Sequence, residues 1–424
     1  MRPWRAWREE IFDFPTLGGD PTIMEIAFIV NEFPSVSETF VLNQITGLLD
    51  RGHSVDVFTR ALGRLDVLHP DIERYRLMDR TTHLACPASR AVRAICGLRL
   101  ALLQVGRDAR AALGTLNVFR YGRGALSLSL LFETAPFFRS YDIVHSHFGH
   151  NGRFGAVLKR LGLQKKLVVT FHGHDIRMAN RHGREIYGEL WDEADCLVAI
   201  SKYNQEHLLR FTSDPRKIVY HPVGIDLRRF CYRPAVPPRD RPARLISVAR
   251  LVEEKGLVYG LEAVQRVLEK RPGMRLLYDI IGEGKLRDVL EREIDERGLQ
   301  ETVRLHGARD QAAVIEALRT SDILLAPSLA EALPLSLMEA HAIGLPVVAT
   351  RVGSVDQIVL DGRTGFLAPP GDAIAFGGRL ERLLRDPERW EAMGRAGREH
   401  VERHYDIERL NDRLVELYQG LLAA

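Results

Sequence analysis

The sequence predicts an α/β protein made of two doubly wound parallel sheets. Short apolar, β-branched runs alternate almost from end to end with helical patterns, each long enough (about ten residues or more) to carry a parallel crossover. That rhythm breaks once, at "CYRPAVPPRDRPAR" (231–244), where four prolines and four arginines show little apolar periodicity. The length of 424 residues also exceeds what one ordinary core holds together.

In the first half, "MEIAFIVN" (24–31) has the continuous apolar character of a strand buried on both faces. Val41, Ile45, Leu48 and Leu49 then recur at helical spacing, with Gly52 placed to end that helix. "SVDVFT" (54–59), "YDIVHSH" (141–147), "KLVVTF" (166–171), "DCLVAI" (195–200) and "KIVYH" (217–221) read as further strands, and Ser201 as an N-cap. Beyond the break, "RLISVA", "RLLYDII", "TVRLH", "DILLAP" and "PVVAT" alternate with helices near 256–270, 285–297, 310–320 and 334–343. The domains expected are an N-terminal extension, poorly ordered, over 1–23, a first domain over 24–230, a linker over 231–243, a second domain over 244–404 and a C-terminal helix over 405–424. In such sheets ligands bind at the carboxyl ends of the strands.

Composition narrows the function. Lys plus Arg exceeds Asp plus Glu by only 59 − 56 = 3, too little to argue for nucleic acid. Four cysteines lie scattered without metal or redox spacing, which points to a reducing compartment. No apolar run approaches the roughly 18–20 residues of a spanning helix, and the start lacks the apolar core of a secretory signal. A cytoplasmic protein is expected. Residues 86–125 carry seven arginines against one aspartate, Asp108. The arginines spread around a helical wheel, which favours a solvated basic insertion; attraction to anionic lipid, at the inner face of the cytoplasmic membrane, is the functional alternative.

Three motifs carry less than they promise. "DEAD" (192–195) has no accompanying phosphate-binding loop of the G-x-x-x-x-G-K-[ST] kind, so an NTPase is excluded. "IIGEGK" (280–285) offers Gly282 and Gly284 after a strand but no third glycine, leaving a tight turn that lets backbone approach a ligand. "HSHFGH" (145–150) and "FHGHD" (171–175) end consecutive strands and, with Asp175, could ligate zinc in a hydrolase. Strand-end histidines equally bind hydroxyls or backbone.

The stretch "EALPLSLMEA" is more telling. Glu331 precedes a helix that starts near Pro334, and Glu339 lies inside it, within a run that otherwise reads as buried. Lone carboxylates there are costly unless something pairs with them. A helix start seats phosphate, and carboxylates on either side accept from hydroxyls. Arg250 and Lys255 in "VARLVEEKG" supply cations just past the first strand of the second half, where a diphosphate would need them.

"SVARLVEEKGL", "IIGEGKLRDVLE", "VRLHGARD", "DILLAPSLAEALPLSLMEAHAIGLPVVATRVGS" and "VLDGRTGFLAPPGD" together resemble the C-terminal half of retaining glycosyltransferases of family four. "FPSVSETFVLNQITGLLDRGHSVDVFT", "HSHFG", "TFHGHDIR", "AISKYNQEHL" and "HPVGIDLRRF" resemble the colanic-acid and exopolysaccharide branch of that family. The likeness spans about residues 24–405. It implies the GT-B fold, two Rossmann-like domains facing across a cleft, and transfer of a hexosyl group from a nucleotide sugar. The donor expected is a UDP-sugar, the acceptor a saccharide or a polyprenyl-pyrophosphate-linked saccharide, with no cofactor and no metal. Glu331 matches the glutamate on the donor sugar, Glu339 the one on the ribose, and Arg250 and Lys255 the cations on the diphosphate. His172 matches the histidine beside donor sugar and acceptor; Glu38 and Asp175 lie in matching motifs. The catalytic candidates are thus His172 and Glu331, and the donor site adds Gly282, Leu333, Pro334 and Leu335. Ala332, Ser354 and Gln357 depart from the usual pattern in the donor loops. A sugar-nucleotide epimerase of the same fold and the zinc hydrolase are the competing readings.

Overall fold

The computed structural model describes residues 23–35, 38–63, 69–238 and 240–424, so the expected N-terminal extension falls, save Ile23, outside the described residues. The chain forms two compact units. The first comprises the described residues up to Ile200 with Asn204–His221 and Asn411–Ala424; the second comprises Ser201–Tyr203 and Pro222–Leu410.

Seven parallel strands build the first unit: β1 (Glu25–Phe33), β2 (Ser54–Leu62), β3 (Thr81–His83), β4 (Tyr141–His147), β5 (Gln164–Phe171), β6 (Cys196–Ala199) and β7 (Ile218–Tyr220). Their order in the sheet is β3-β2-β1-β4-β5-β6-β7. Ile26 to Val30 are fully buried, as a strand covered on both faces requires. The long crossovers include α1 (Thr39–Asp50), α2 (Arg90–Thr115), α3 (Gly149–Arg160) and α4 (Gly173–His182). On α1 the periodic residues Val41, Ile45 and Leu48 turn into the core. The run 86–125 is largely helical: Ser89 caps α2, and Asp108 breaks the helical backbone within it.

The second unit has β8 (Ala243–Val248), β9 (Leu276–Ile281), β10 (Val303–Leu305), β11 (Ile323–Ala326), β12 (Val347–Thr350) and β13 (Gly365–Ala368), in the order β10-β9-β8-β11-β12-β13. Its helices include α5 (Leu257–Lys270), α6 (Arg287–Glu296), α7 (Gln311–Thr320), α8 (Leu335–Ile343), α9 (Ala373–Arg385) and α10 (Trp390–His404). Leu245, Leu261, Val264, Tyr278, Val348, Phe376 and Trp390 share its core. The described residues of the proline-rich stretch 231–243 lie within this unit. Ala235 enters the core, the Arg233 N–H donates to the Ile343 carbonyl at 2.8 Å, and Arg241 grips both oxygens of buried Asp322 at 2.6 Å. The last helix, α11 (Ile407–Ala423), carries Leu414 and Tyr418 into the core of the first unit.

In each sheet the strand order reverses beside the first strand of the unit, between β1 and β4 and between β8 and β11. The crevice outside the carboxyl ends of such a pair is where doubly wound sheets take ligands.

Candidate active site

In the second unit that crevice is bordered by the loops leaving β8 and β11. Lys255 closes a short turn after β8, and Glu331 lies in the loop after β11. Gly256 follows Lys255, and Leu329 N–H donates to the Glu254 carbonyl at 2.8 Å, locking the two loops together. The Lys255 ammonium then meets Glu331 Oε1 at 2.6 Å, and the Ser328 hydroxyl donates to the same oxygen at 2.8 Å. Both charged groups are largely shielded, their side chains 20% and 10% exposed. Arg250 stands exposed nearby in sequence and has no ion-pair partner among the described residues.

Two glycines let further loops close in. Gly282, at φ +145°, ends β9 so near the β8 loop that a Cβ would lie 1.8 Å from the Ala249 carbonyl oxygen. Gly353, at φ +53°, brings the loop after β12 onto Glu331, where a Cβ would meet the Glu331 carbonyl oxygen at 1.7 Å. Any side chain at either position would push these loops apart.

Helix α8 starts at Pro334 with no side-chain cap, so the N–H groups of its first turn are left to other acceptors. Leu333 and Pro334 are buried, and Leu335 opens the helix. The helix is apolar on nearly every side: Leu337, Met338, Ala340, His341, Ala342 and Ile343 are all buried. Glu339, half-buried beside them, has no hydrogen-bonding partner among the described residues, and burial raises its carboxyl to about 7.

The first unit has its own cluster, at the ends of β4 and β5. His145 and His147 alternate onto one side of β4, stacked 4.6 Å apart. His147 Nδ1 lies 3.2 Å from Nε2 of His172, at the end of β5. Phe40 and Phe148 press on the His172 ring with centroids at 4.8 and 4.4 Å. Phe148 holds a left-handed backbone, φ +72°, a strained state worth about 1–3 kcal/mol that sets its ring against His172. Burial lowers His172 to about 3, so its imidazole is neutral at physiological pH. His147 is pushed down by the same cause, and its Nε2 has no partner among the described residues.

Asp175, in the first turn of α4, is fully buried and accepts from the Gly149 N–H at 3.2 Å and the Ile176 N–H at 3.0 Å. Desolvation still outweighs these bonds and raises it to about 7. Glu38, preceding α1, is raised to about 7 by burial and by the neighbouring charge of Glu32. His145 is committed elsewhere: Nδ1 meets the Tyr418 hydroxyl at 2.6 Å and Nε2 the Thr170 hydroxyl at 2.7 Å. No group of three or more His, Cys, Asp or Glu among the described residues is arranged to hold a metal.

The structure thus joins Lys255 to Glu331 and His172 to His147. It places Arg250, Gly282, Glu339 and Leu333–Leu335 on the loops and helix around the first pair, and Asp175 on the helix that His172 begins. Sequence reasoning missed Ser328, Phe40 and Phe148 as contacts, and His147 as the partner of His172. Only for His147 was there a signal, its two-residue spacing from His145 on a strand.

Two family models match this chain: Glycosyltransferase Family 4 over residues 37–229 and Glycosyl transferases group 1 over 231–400. The amylovoran biosynthesis glycosyltransferase AmsK of Erwinia amylovora is 33% identical over 94% of this chain and 100% of its own length. The chain is a family-four glycosyltransferase. WcaL of Salmonella typhimurium, described as a colanic acid biosynthesis glycosyltransferase, is 32% identical over the same 94% and its full length. Among solved structures, Anabaena HepE in complex with UDP and glucose superposes with a TM-score of 0.71 at 17% identity, covering 94% of this glycosyltransferase and 100% of HepE. The architecture is GT-B, two parallel-sheet Rossmann-like domains of seven and six strands.

Proposed function

We propose that this glycosyltransferase moves a hexosyl group from a UDP-sugar to a saccharide or a polyprenyl-pyrophosphate-linked saccharide, with retention of anomeric configuration. The product belongs to a surface or exopolysaccharide, and the enzyme works in the cytoplasm at the inner face of the membrane. One observation carries the donor side of this reading: a shielded Lys255–Glu331 pair lies beside the uncapped start of α8, with Arg250 exposed on the adjoining loop and without an ion-pair partner among the described residues. The relatives named for colanic acid and amylovoran biosynthesis support the polysaccharide, and the UDP complex of a protein of the same fold supports the nucleotide.

The diphosphate seats at the start of α8, where free N–H groups and the positive end of the helix meet its charge. Arg250 and Lys255 add two cations, so the donor is held without a metal. When Lys255 turns to the diphosphate, Glu331 is released to accept from hydroxyls of the donor sugar, and Glu339 accepts from the ribose. As the bond between the anomeric carbon and the diphosphate breaks, negative charge grows on the nucleotide. Groups fixed where that charge develops are each worth about 3–4 kcal/mol of transition-state stabilisation. The acceptor oxygen takes the anomeric carbon, and its proton leaves with the nucleotide. Neutral His172 uses Nε2 towards His147 and keeps Nδ1 for a sugar hydroxyl. Asp175, buried, and Glu38, half-buried, are acids of the same unit and bind acceptor or donor-sugar hydroxyls.

A thermal-shift screen over UDP, GDP, dTDP and their sugars tests the donor. A ligand that binds only the folded form stabilises it by about 2.7 kcal/mol at a hundredfold excess over its dissociation constant. UDP and one UDP-sugar are expected to raise the melting temperature; a response to another nucleotide alone overturns the assignment of the base. The anomeric configuration of the product, read by NMR, decides retention.

A further inference from the structure

Nine of the eighteen large apolar side chains that stand exposed among the described residues fall between Ile95 and Leu126. On α2, Gly97, Leu100 and Gln104 form the buried line, and Leu100 packs in a small satellite core with Leu131, Phe132 and Ala135. The far side of the helix should then be polar, as on any amphipathic surface helix. It is not. Ile95, Leu98, Leu102 and Val105 recur three, four and three residues apart, one stripe on the outward face, and the first three are 73, 66 and 68% exposed. Leu113, Val118, Leu126 and a fully exposed Phe119 extend the apolar surface past the break at Asp108.

Charge accompanies this stripe. Of the seven arginines in 86–125, Arg90, Arg107, Arg110 and Arg123 are exposed and have no ion-pair partner among the described residues. Asp108 is the only acid in that span, and its carboxylate is engaged by the Ala111 N–H at 2.9 Å. An outward apolar stripe flanked by uncompensated arginines has the composition of a segment that lies in a lipid headgroup layer. No helix among the described residues is long and apolar enough to cross a membrane, so a contact of this kind is peripheral. The arginines taken alone scatter around the wheel; the leucines between them define the face.

We propose that α2 and the turns that follow it, residues 90–126, form a foot that docks the first unit on an anionic phospholipid bilayer. The side chains of Ile95, Leu98, Leu102 and Phe119 enter the acyl boundary, and the arginines pair with lipid phosphates. This locates the membrane contact of the proposed reaction, but it does not depend on the donor or acceptor named for it.

The test is co-sedimentation of the full chain with vesicles of phosphatidylcholine, with and without phosphatidylglycerol. Binding is expected on the anionic vesicles and should weaken as salt rises. A Leu98→Ser, Leu102→Ser double variant, its melting temperature unchanged, should partition at least tenfold more weakly. Arg107→Gln and Arg110→Gln should each cost about fivefold. Wild-type binding that is equal on both vesicle types, or that survives the double variant, overturns the proposal. So does a dimer in sedimentation velocity that the double variant dissolves while vesicle binding is absent; the face would then join two copies of this chain. None of these readouts uses nucleotide sugar, so a failed transfer assay leaves them standing.

Discussion

Glu339 offers a perturbation whose size follows from its surroundings. Its carboxyl is held on a helix buried on nearly every side, with no hydrogen-bonding partner among the described residues, and is raised from 4.5 to about 7. Below pH 4.5 both folded and unfolded chains carry the proton. Between pH 4.5 and about 7 the unfolded chain ionises while the folded one does not, so unfolding is favoured by about 1.4 kcal/mol for each pH unit. The destabilisation therefore grows to about 3 kcal/mol and levels off above pH 7. Glu339→Gln has no such proton and escapes it. Denaturant unfolding of both proteins from pH 5 to 8 is the assay: the stability of the variant relative to wild type should climb across that range. The same variant should bind UDP-sugar roughly 10- to 100-fold more weakly, because a hydrogen bond to a charged group contributes about 1.5–3 kcal/mol. Parallel pH curves would refute the burial argument, and unchanged affinity would refute the role given to the residue.

Other perturbations have clear directions. Lys255→Ala leaves Glu331 shielded with one fewer partner; if the two act as a pair, the Lys255→Ala, Glu331→Gln double variant should lose less stability than the two single losses summed, read by a double-mutant cycle. Tyr418→Phe removes the hydroxyl bonded to His145 Nδ1 in a fully buried site and should cost about 1–3 kcal/mol of unfolding free energy with little change in UDP affinity. Gly353→Val would drive a side chain into the Glu331 carbonyl and should lower kcat/KM at least tenfold while circular dichroism stays native. His172 is neutral throughout the working range, so kcat against pH should show no limb that disappears in His172→Gln between pH 6 and 8.

The strands β1, β4, β5, β8, β9, β11 and β12 were legible because each is built on a short run of apolar, largely β-branched or leucine residues, the mark of a strand covered on both faces. β3 and β13 were not: β3 is Thr-Thr-His, with no apolar residue, and β13 opens on Gly365 directly after a turn-rich stretch. The donor-side residues could be named one at a time from their motifs. Their arrangement could not, since Lys255 and Glu331 meet across 76 residues of chain, through loops that two tight turns hold together. The histidine motifs suggested a metal because spacing alone does not reveal that His145 is spent on Tyr418 and Thr170. In the segment 86–125 the eye follows charge, and the arginines carry no period; Ile95, Leu98, Leu102 and Val105 do, yet an apolar period by itself reads as core until burial shows which side it faces.

Everything proposed about the donor depends on cations and a helix start in the second unit gripping a diphosphate. Titration calorimetry of UDP into wild type and Arg250→Ala tests this most directly, because Arg250 is exposed and has no ion-pair partner among the described residues, so its loss should leave the fold intact. The dissociation constant should rise roughly 10- to 100-fold in the variant, the loss of a hydrogen bond to a charged group. An affinity that stays within about twofold of wild type at the same ionic strength would contradict it.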